Sequence, residues 1–217
     1  MSMDKDELDR FIGSIQFDRW VFGFPTRFTL VSHGDRDHDP FESSFRFPEP
    51  LIHSGNYIPR KSVNSWMLRD GDRGKFEGVA VSALGPRTVS RLTGVKVPWL
   101  HACWWMLSTK KLLVLFVGEL DGPEVPLLAK LLDNLANVDA ILLPSYGGIN
   151  PPAHRVSHRD QLKNEVALLA EKERKKGRFV YALPHPVLQI GLSGVLGGFE
   201  VLTLGEPCPR RSNSTGI

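Results

Sequence analysis

The spacing of apolar residues changes character near the middle of the chain. Up to about residue 118, short apolar runs alternate with Gly, Pro, Asn and Asp, a pattern typical of strands joined by turns. The predicted strands cover residues 15–21, 27–32, 61–68, 77–83, 102–108 and 111–117, the last two as a hairpin. A short amphipathic helix over 4–14 precedes them, with Leu8, Phe11 and Ile12 on one face. The first half is therefore predicted to be mainly β-structure.

The second half alternates helices with strands. The predicted helices cover residues 123–136 and 157–176, and the predicted strands cover 138–143, 178–183 and 199–204. Pro123 stands where helices often begin, and Gly177 stands where they often end. Sheets with helices on their outer faces form a layered α/β sandwich. We expect one such domain over residues 1–217, with a loose tail over 205–217.

Composition and charge narrow the class of protein. The chain has 217 residues, 41% of them hydrophobic and 24% charged, which fits one sizeable globular core and excludes a disordered or fibrous chain. The net charge of +3 permits an anionic substrate but is low for a dedicated nucleic-acid binder. The basic run at 171–178 is interpreted as a solvated helix end.

Cysteine usage and hydropathy bear on the compartment. Cys103 and Cys208 are far apart and form no CxxC pair, so neither a disulfide framework nor a zinc ribbon is indicated. Residues 1–10 are rich in Asp and Lys and do not resemble a signal peptide. The longest apolar runs have strand length and are too short to span a bilayer. We expect a cytoplasmic protein with no membrane contact.

The segment His33-Gly34-Asp35-Arg36-Asp37-His38 holds the densest candidate chemistry. It follows the predicted strand 27–32 and carries four potential metal ligands within six residues. Loops at strand ends commonly carry functional groups on a rigid scaffold. Imidazole and carboxylate ligands together suit a divalent ion such as zinc, iron or manganese. The alternative is a polar turn in which Asp35 and Asp37 cap local backbone groups.

This segment, His33-x-Asp35-x-Asp37-His38, resembles the HxHxDH motif of the metallo-β-lactamase superfamily of metallohydrolases. Further landmarks follow in that family's order: His101 after the middle strands, the strand 113–117 followed by Gly118-Glu119, the run 138–144, and His185 after a final strand. The resemblance covers about residues 25–190 and is greatest to the branch with sugar-lactone lactonases. It implies a four-layer αββα sandwich.

The resemblance also implies two divalent metal ions. His33, Asp35 and His101 would hold the first ion, and Asp37, His38 and His185 the second. Glu119 stands at the position of the family's bridging carboxylate, with Asp121 as an alternative. A hydroxide activated by the ions would attack an ester, lactone or phosphodiester. Asp37 would also orient the attacking water, as the catalytic residue.

The chain departs from the family pattern in four respects. Asp35 replaces the second motif histidine, which shifts the expected metal from zinc alone toward zinc or manganese. Glu119 replaces an aspartate, and Asp39-Pro40-Phe41 replaces the usual glycine pair. The stretch before the motif is short, which indicates a truncated first sheet or pairing with a second subunit as a homo-oligomer.

Other residues have two interpretations. The loop 145–155 stands where the family often contacts substrate, so Tyr146, His154, Arg155 and, just beyond, His158 are candidates for binding an anionic group. A plain surface loop is the alternative. Another candidate is the tryptophan group at 99, 104 and 105, which would line a pocket or, as strand spacing favours, belong to the core.

Three function classes follow from the sequence. The first is a metal-dependent hydrolase of a small molecule, the second is a nuclease, and the third is a metal-binding protein without catalysis. The nuclease has support only from the net charge and the basic patches, and the third class is suggested by Asp35 and Glu119.

Overall fold

The computed structural model describes residues 4–18, 27–34, 50–55, 57–58, 64–145, 156–184 and 202–203. Across these residues, four helices and eleven strands form a mixed α/β fold with two sheets. The helices are α1 (Lys5–Gly13), α2 (Pro86–Thr93), α3 (Glu124–Asn134) and α4 (Val156–Lys175). The strands are β1 (Gln16–Phe17), β2 (Thr29–Val31), β3 (Leu51–His53), β4 (Ser65–Met67), β5 (Arg73–Phe76), β6 (Val79–Leu84), β7 (Trp104–Ser108), β8 (Leu113–Val117), β9 (Ala140–Ser145), β10 (Phe179–Pro184) and β11 (Leu202–Thr203).

The first sheet consists of four short parallel strands in the order β1-β2-β3-β4. Each strand has two or three residues, and Leu30 of β2 lies between Phe17 of β1 and Ile52 of β3. Because the strands are parallel, their carboxyl ends lie at one edge of the sheet. Asp18 follows β1 at this edge, and Ser32 and His33 follow β2.

The second sheet has seven strands in the order β11-β10-β9-β8-β7-β6-β5. Strands β8, β9 and β10 are parallel, whereas β7 is antiparallel to β8, with Trp104 opposite Val117. The amino end of β7 therefore lies beside the carboxyl end of β8. This arrangement brings the loop before β7 next to the loop after β8.

Apolar side chains fill two layers, one on each face of the second sheet. Between the sheets, Phe17, Leu30 and Ile52 pack with Phe116 and with the apolar face of α1. On the other face, α2, α3 and α4 cover the sheet through residues such as Leu128. The described residues thus form three layers, and a helical layer outside the first sheet stays a prediction. None of the described helices combines the length and apolar composition needed to cross a bilayer.

Several sequence predictions of secondary structure need correction. Within the described residues, the predicted strand 15–21 is present only as β1, because Asp18 turns the chain with a φ of 47° directly after it. His53 stands outside the predicted strands, but it lies in β3 and is buried. The sequence interpretation missed α2 and the polar edge strand β5, since neither presents a long apolar pattern.

Helix α2 begins at a carboxylate supplied from another part of the chain. Asp70 accepts hydrogen bonds from the backbone N–H groups of Gly85, Arg87 and Thr88 at 3.0, 2.7 and 3.2 Å. Burial by itself would raise the pKa of Asp70, but hydrogen bonds from Thr88, Arg87 and Gly85 outweigh burial and lower it. The helix ends at Gly94, whose φ of 68° suits a glycine C-cap.

A buried arginine joins the ends of α3 and α4. The Arg178 guanidinium forms an ion pair with Glu173, and both side chains are almost fully buried. Its second terminal nitrogen donates to the carbonyl oxygens of Leu132 and Leu135 at 2.9 and 2.6 Å. These carbonyls lie at the end of α3, where helices leave acceptors without internal partners.

Candidate metal centre

Three potential ligands converge where the two sheets meet. His33 follows β2, Glu119 follows β8 by two residues, and His101 precedes β7 by three. A backbone hydrogen bond of 2.9 Å from Cys103 N–H to the Ser32 carbonyl ties the His101 loop to the end of β2. The register of β7 and β8 and this link between the sheets bring the three side chains together.

One carboxylate oxygen lies close to a ring nitrogen of each histidine. Glu119 Oε2 lies 3.0 Å from His33 Nε2 and 3.0 Å from His101 Nε2. One ligand atom from each of the three residues lies within 4.8 Å of the others. Two imidazole nitrogens and a carboxylate form a donor set that suits a divalent transition metal. The side chains of His33 and Glu119 are 5% and 18% exposed, so the site is open to solvent mainly through His101, at 33%.

A buried carboxylate orients His33 through a serine. Asp18, fully buried, accepts from the Ser32 backbone N–H at 2.7 Å and from the Ser32 hydroxyl at 2.8 Å. The same hydroxyl lies 3.0 Å from His33 Nδ1. Since the Ser32 hydroxyl donates its proton to Asp18, its oxygen can accept from Nδ1–H. This arrangement favours the tautomer with a lone pair on Nε2, which a metal ligand requires.

Gly118 allows the two sheets to approach each other at this point. A Cβ atom at residue 118 would lie 2.1 Å from Ser32 Oγ and 2.3 Å from Ser32 Cβ. The φ of Gly118 is not positive, so close approach between β2 and β8 is what requires glycine there.

His101 is surrounded by three carboxylates in different positions. Glu119 contacts its Nε2, whereas Asp121 Oδ2 lies 3.6 Å from Nδ1 on the other side of the ring. The hydrogen bond with Glu119 is the main cause that raises the pKa of His101 to about 9. Glu124 accepts from the His101 backbone N–H at 2.6 Å. Of the two acidic alternatives in the sequence, Glu119 joins the histidine nitrogens and Asp121 lies behind His101.

Many predicted site residues lie outside the part of the chain that the structure describes. They are Asp35, Asp37, His38, Tyr146, His154, Arg155 and His185. His158 lies in α4, but its side chain is not among those described. The second ion and the substrate contacts therefore stay predictions.

The sequence interpretation missed Asp18, Ser32 and Glu124 as parts of the site. Asp18 and Ser32 each follow an apolar strand directly, the only signal that could have singled them out. The three tryptophans differ in burial. Trp104 and Trp105 are fully buried on opposite faces of β7, whereas Trp99 is 54% exposed. The core interpretation is thus confirmed for Trp104 and Trp105, and the neighbouring Cys103 is buried as well.

Comparisons with known proteins find similarity in structure at low sequence identity. No protein-family model matches the chain, and no curated protein matches it. A mutant of the β-hydroxylase CmlA has a TM-score of 0.44 and 16% identity, over 75% of this chain and 38% of that one. The diiron β-hydroxylase CmlA from Streptomyces venezuelae has a TM-score of 0.40 and 17% identity, over 64% and 32%. A candidate metal-dependent hydrolase from Parabacteroides distasonis has a TM-score of 0.40 and 17% identity, over 71% and 74%. The chain spans less than two fifths of either CmlA chain.

Proposed function

We propose that this protein is a metal-dependent hydrolase of a small ester, lactone or phosphodiester, with His33, His101 and Glu119 as ligands of a divalent ion. The observation that supports the proposal is the convergence of two imidazole Nε2 atoms on one carboxylate oxygen, each at 3.0 Å. Such a donor set fits zinc, manganese or iron. Three protein ligands leave coordination positions for water and substrate, as catalytic metal sites do.

The chain's own groups would hold the ligands in place. The Ser32 hydroxyl fixes the His33 ring from its Nδ1 side, and Asp121 lies at the corresponding side of His101. Partners of this kind orient ligand imidazoles and increase their basicity. A bound divalent ion supplies a hydroxide nucleophile near neutral pH and positive charge for the oxyanion of the transition state.

A second ion is part of the proposal. Asp37, His38 and His185 would hold it, and Asp35 would join the ligands of the first ion. Asp37 would also orient the attacking water, accept its proton and return that proton to the alkoxide that is released when the ester, lactone or phosphodiester bond breaks. Tyr146, His154, Arg155 and His158 would bind an anionic part of the substrate.

A small-molecule substrate is favoured over nucleic acid by the ion pairs of the basic run. Lys172 and Lys176 both contact Asp133, at 3.2 and 2.5 Å, and Lys175 contacts Glu171 at 2.6 Å. Lysines paired in this way offer less charge to a phosphate backbone, on which nucleic-acid affinity depends.

The first experiment measures metal content and hydrolysis together. Purified protein would be analysed for bound metal and assayed with bis(p-nitrophenyl) phosphate and a simple lactone in the presence of Zn²⁺, Mn²⁺ or Fe²⁺. We expect His101→Ala and Glu119→Gln to lose metal from the first site and to lose activity. Glu171→Gln makes the same chemical change at an exposed carboxylate and should retain both.

The outcomes separate the function classes. Metal binding without hydrolysis of either substrate would indicate a metal-binding protein without catalysis. Cleavage of an oligonucleotide with steep salt dependence would indicate a nuclease instead. If His101→Ala and Glu119→Gln bind as much metal as the unaltered protein, the proposed site is wrong. For the second ion, Asp37→Ala and His38→Ala should each reduce the metal content, and an unchanged content in both variants would refute that assignment.

A further inference from the structure

Glu124 connects the two loops that carry His101 and Glu119. It is the first residue of α3, and it is 4% exposed. Its Oε1 accepts from the His101 backbone N–H at 2.6 Å, and its Oε2 accepts from the Asp121 backbone N–H at 2.9 Å. The Glu124 backbone N–H donates in turn to the Asp121 carbonyl at 2.9 Å. One side chain therefore binds the loop before β7 and the loop after β8 at the same time.

Glu124 does more than cap its own helix. Its contact with the Asp121 backbone N–H, three residues earlier, is of the capping-box kind, but its contact with the His101 backbone N–H reaches a different loop. Here both carboxylate oxygens accept from N–H groups that precede the helix, and burial of a carboxylate is unfavourable unless its oxygens are bonded in this way. Burial raises the pKa of Glu124, and the hydrogen bonds from Asp121 and His101 oppose that rise.

We infer that Glu124 is a positioning residue, which sets the separation of the His101 and Glu119 side chains and thereby the affinity and geometry of the metal site. The inference rests on the proposed function. Glu124 touches the backbone of His101 and of Asp121, and it is not one of the three converging ligands. It acts on the metal site only through the two loops.

The side chains of the two loops are separated by short distances that depend on the Glu124 contacts. His101 Nε2 lies 3.0 Å from Glu119 Oε2, and His101 Nδ1 lies 3.6 Å from Asp121 Oδ2. Both distances join the loop before β7 to the loop after β8. A shift of either loop would change both distances together. Loss of the Glu124 contacts should therefore weaken metal binding and alter the ligand geometry, although the ligand residues themselves are unchanged.

The test replaces Glu124 by residues of matched size or charge and measures Co²⁺ binding. Glu124→Gln keeps the shape but turns one acceptor into an N–H donor, which then faces a backbone N–H group. We expect its Kd for Co²⁺, measured by calorimetry below the unfolding temperature, to rise by about 10- to 100-fold, as for other residues that orient metal ligands. We also expect altered d–d absorption of bound Co²⁺. Glu124→Asp keeps the charge, but its side chain is one methylene shorter. Its Kd for Co²⁺ should lie between that of the unaltered protein and that of Glu124→Gln.

The matched control is Asp70→Asn. This substitution makes the same carboxylate-to-amide change at another side chain that holds backbone N–H groups, at the start of α2. It should lower the unfolding temperature, but leave the Kd for Co²⁺ within about twofold and the absorption spectrum unchanged, since these hydrogen bonds of Asp70 hold the start of α2 and not the two N–H groups that Glu124 binds.

Each outcome decides the inference. If Glu124→Gln is folded and binds Co²⁺ with the Kd and spectrum of the unaltered protein, Glu124 only starts a helix, and the proposed metal site stands without it. If Glu124→Gln does not fold, Glu124→Asp is judged by the same criterion. If the unaltered protein binds no Co²⁺, Zn²⁺ or Mn²⁺, the proposed function fails and the inference fails with it.

Discussion

Gly118→Ala tests whether the close approach of β2 and β8 builds the metal site. The added Cβ would lie 2.3 Å from Ser32 Cβ and 3.1 Å from Asp18 Oδ2. Two carbon atoms ordinarily lie about 3.5 Å apart or more, so Ser32 and Gly118 would have to separate by about 1 Å. The Ser32 Cβ is attached to the backbone, so a change of side-chain rotamer does not relieve the clash.

Gly118→Ala is expected to lower the free energy of unfolding by an amount at the upper end of the range for overpacking. Inserting a methyl group into a packed site destabilises by about 1–3 kcal/mol, and we expect about 3 kcal/mol here. For a chain of this size, 1 kcal/mol lowers the unfolding temperature by about 2–4 °C, which predicts a fall of about 6–12 °C. Thermal unfolding followed by circular dichroism measures it.

Metal affinity should fall as well, because residue 118 adjoins Glu119 and residue 32 adjoins His33. A displacement of about 1 Å between two ligands is expected to raise the metal Kd by at least about 10-fold, measured by calorimetry. Gly55→Ala is the control, since its φ is not positive and, among the described residues, its Cβ would meet only Met67 Sδ, at 3.9 Å. If Gly118→Ala has the same unfolding temperature and the same metal Kd as Gly55→Ala, close approach of β2 and β8 does not build the metal site.

Three further predictions concern residues that support the fold or the site. Ser32→Ala removes the hydroxyl beside His33 Nδ1, and the metal Kd should rise by about 10-fold in calorimetry; an unchanged Kd would show that the hydroxyl does not orient the ring. Arg178→Met removes the buried cation beside Glu173, which keeps its contact with Lys176 at 2.8 Å. It should lower the free energy of unfolding by about 3 kcal/mol in urea titration, the lower end of the range for a broken buried pair, whereas a loss below about 1 kcal/mol would contradict the buried ion pair. The pKa of Asp70 is lower in the folded protein than its usual value, so its contribution is present above the unfolded pKa and is lost as pH falls through the folded pKa. Asp70→Asn should therefore reduce stability at about pH 6 and have a smaller effect at about pH 3, and an equal effect at both would contradict the lowered pKa.

The density of potential ligands in its segment singled out His33, and the family resemblance of the motif order added His101 and Glu119 as candidates. Each stands next to an apolar strand, and strands are marked by local periodicity and by the turn residues between them. Local periodicity and a nearby proline also predicted the apolar strand before Pro144 and the helix after Pro123. Local signals failed at α2 and at β5, where the apolar pattern is short or absent.

The tertiary structure decided which candidates meet. The sequence left Asp121 as an alternative to Glu119, but of these two carboxylates only Glu119 reaches the Nε2 atoms of both histidines. Trp99 and Trp104 are also indistinguishable by residue type, yet one is 54% exposed and the other is fully buried. These outcomes depend on the register of β7 against β8 and on the contact of β2 with Gly118, which join residues far apart in the chain. Local periodicity determines which segments form strands, whereas contacts between distant segments determine the distances of a few ångströms on which metal binding depends.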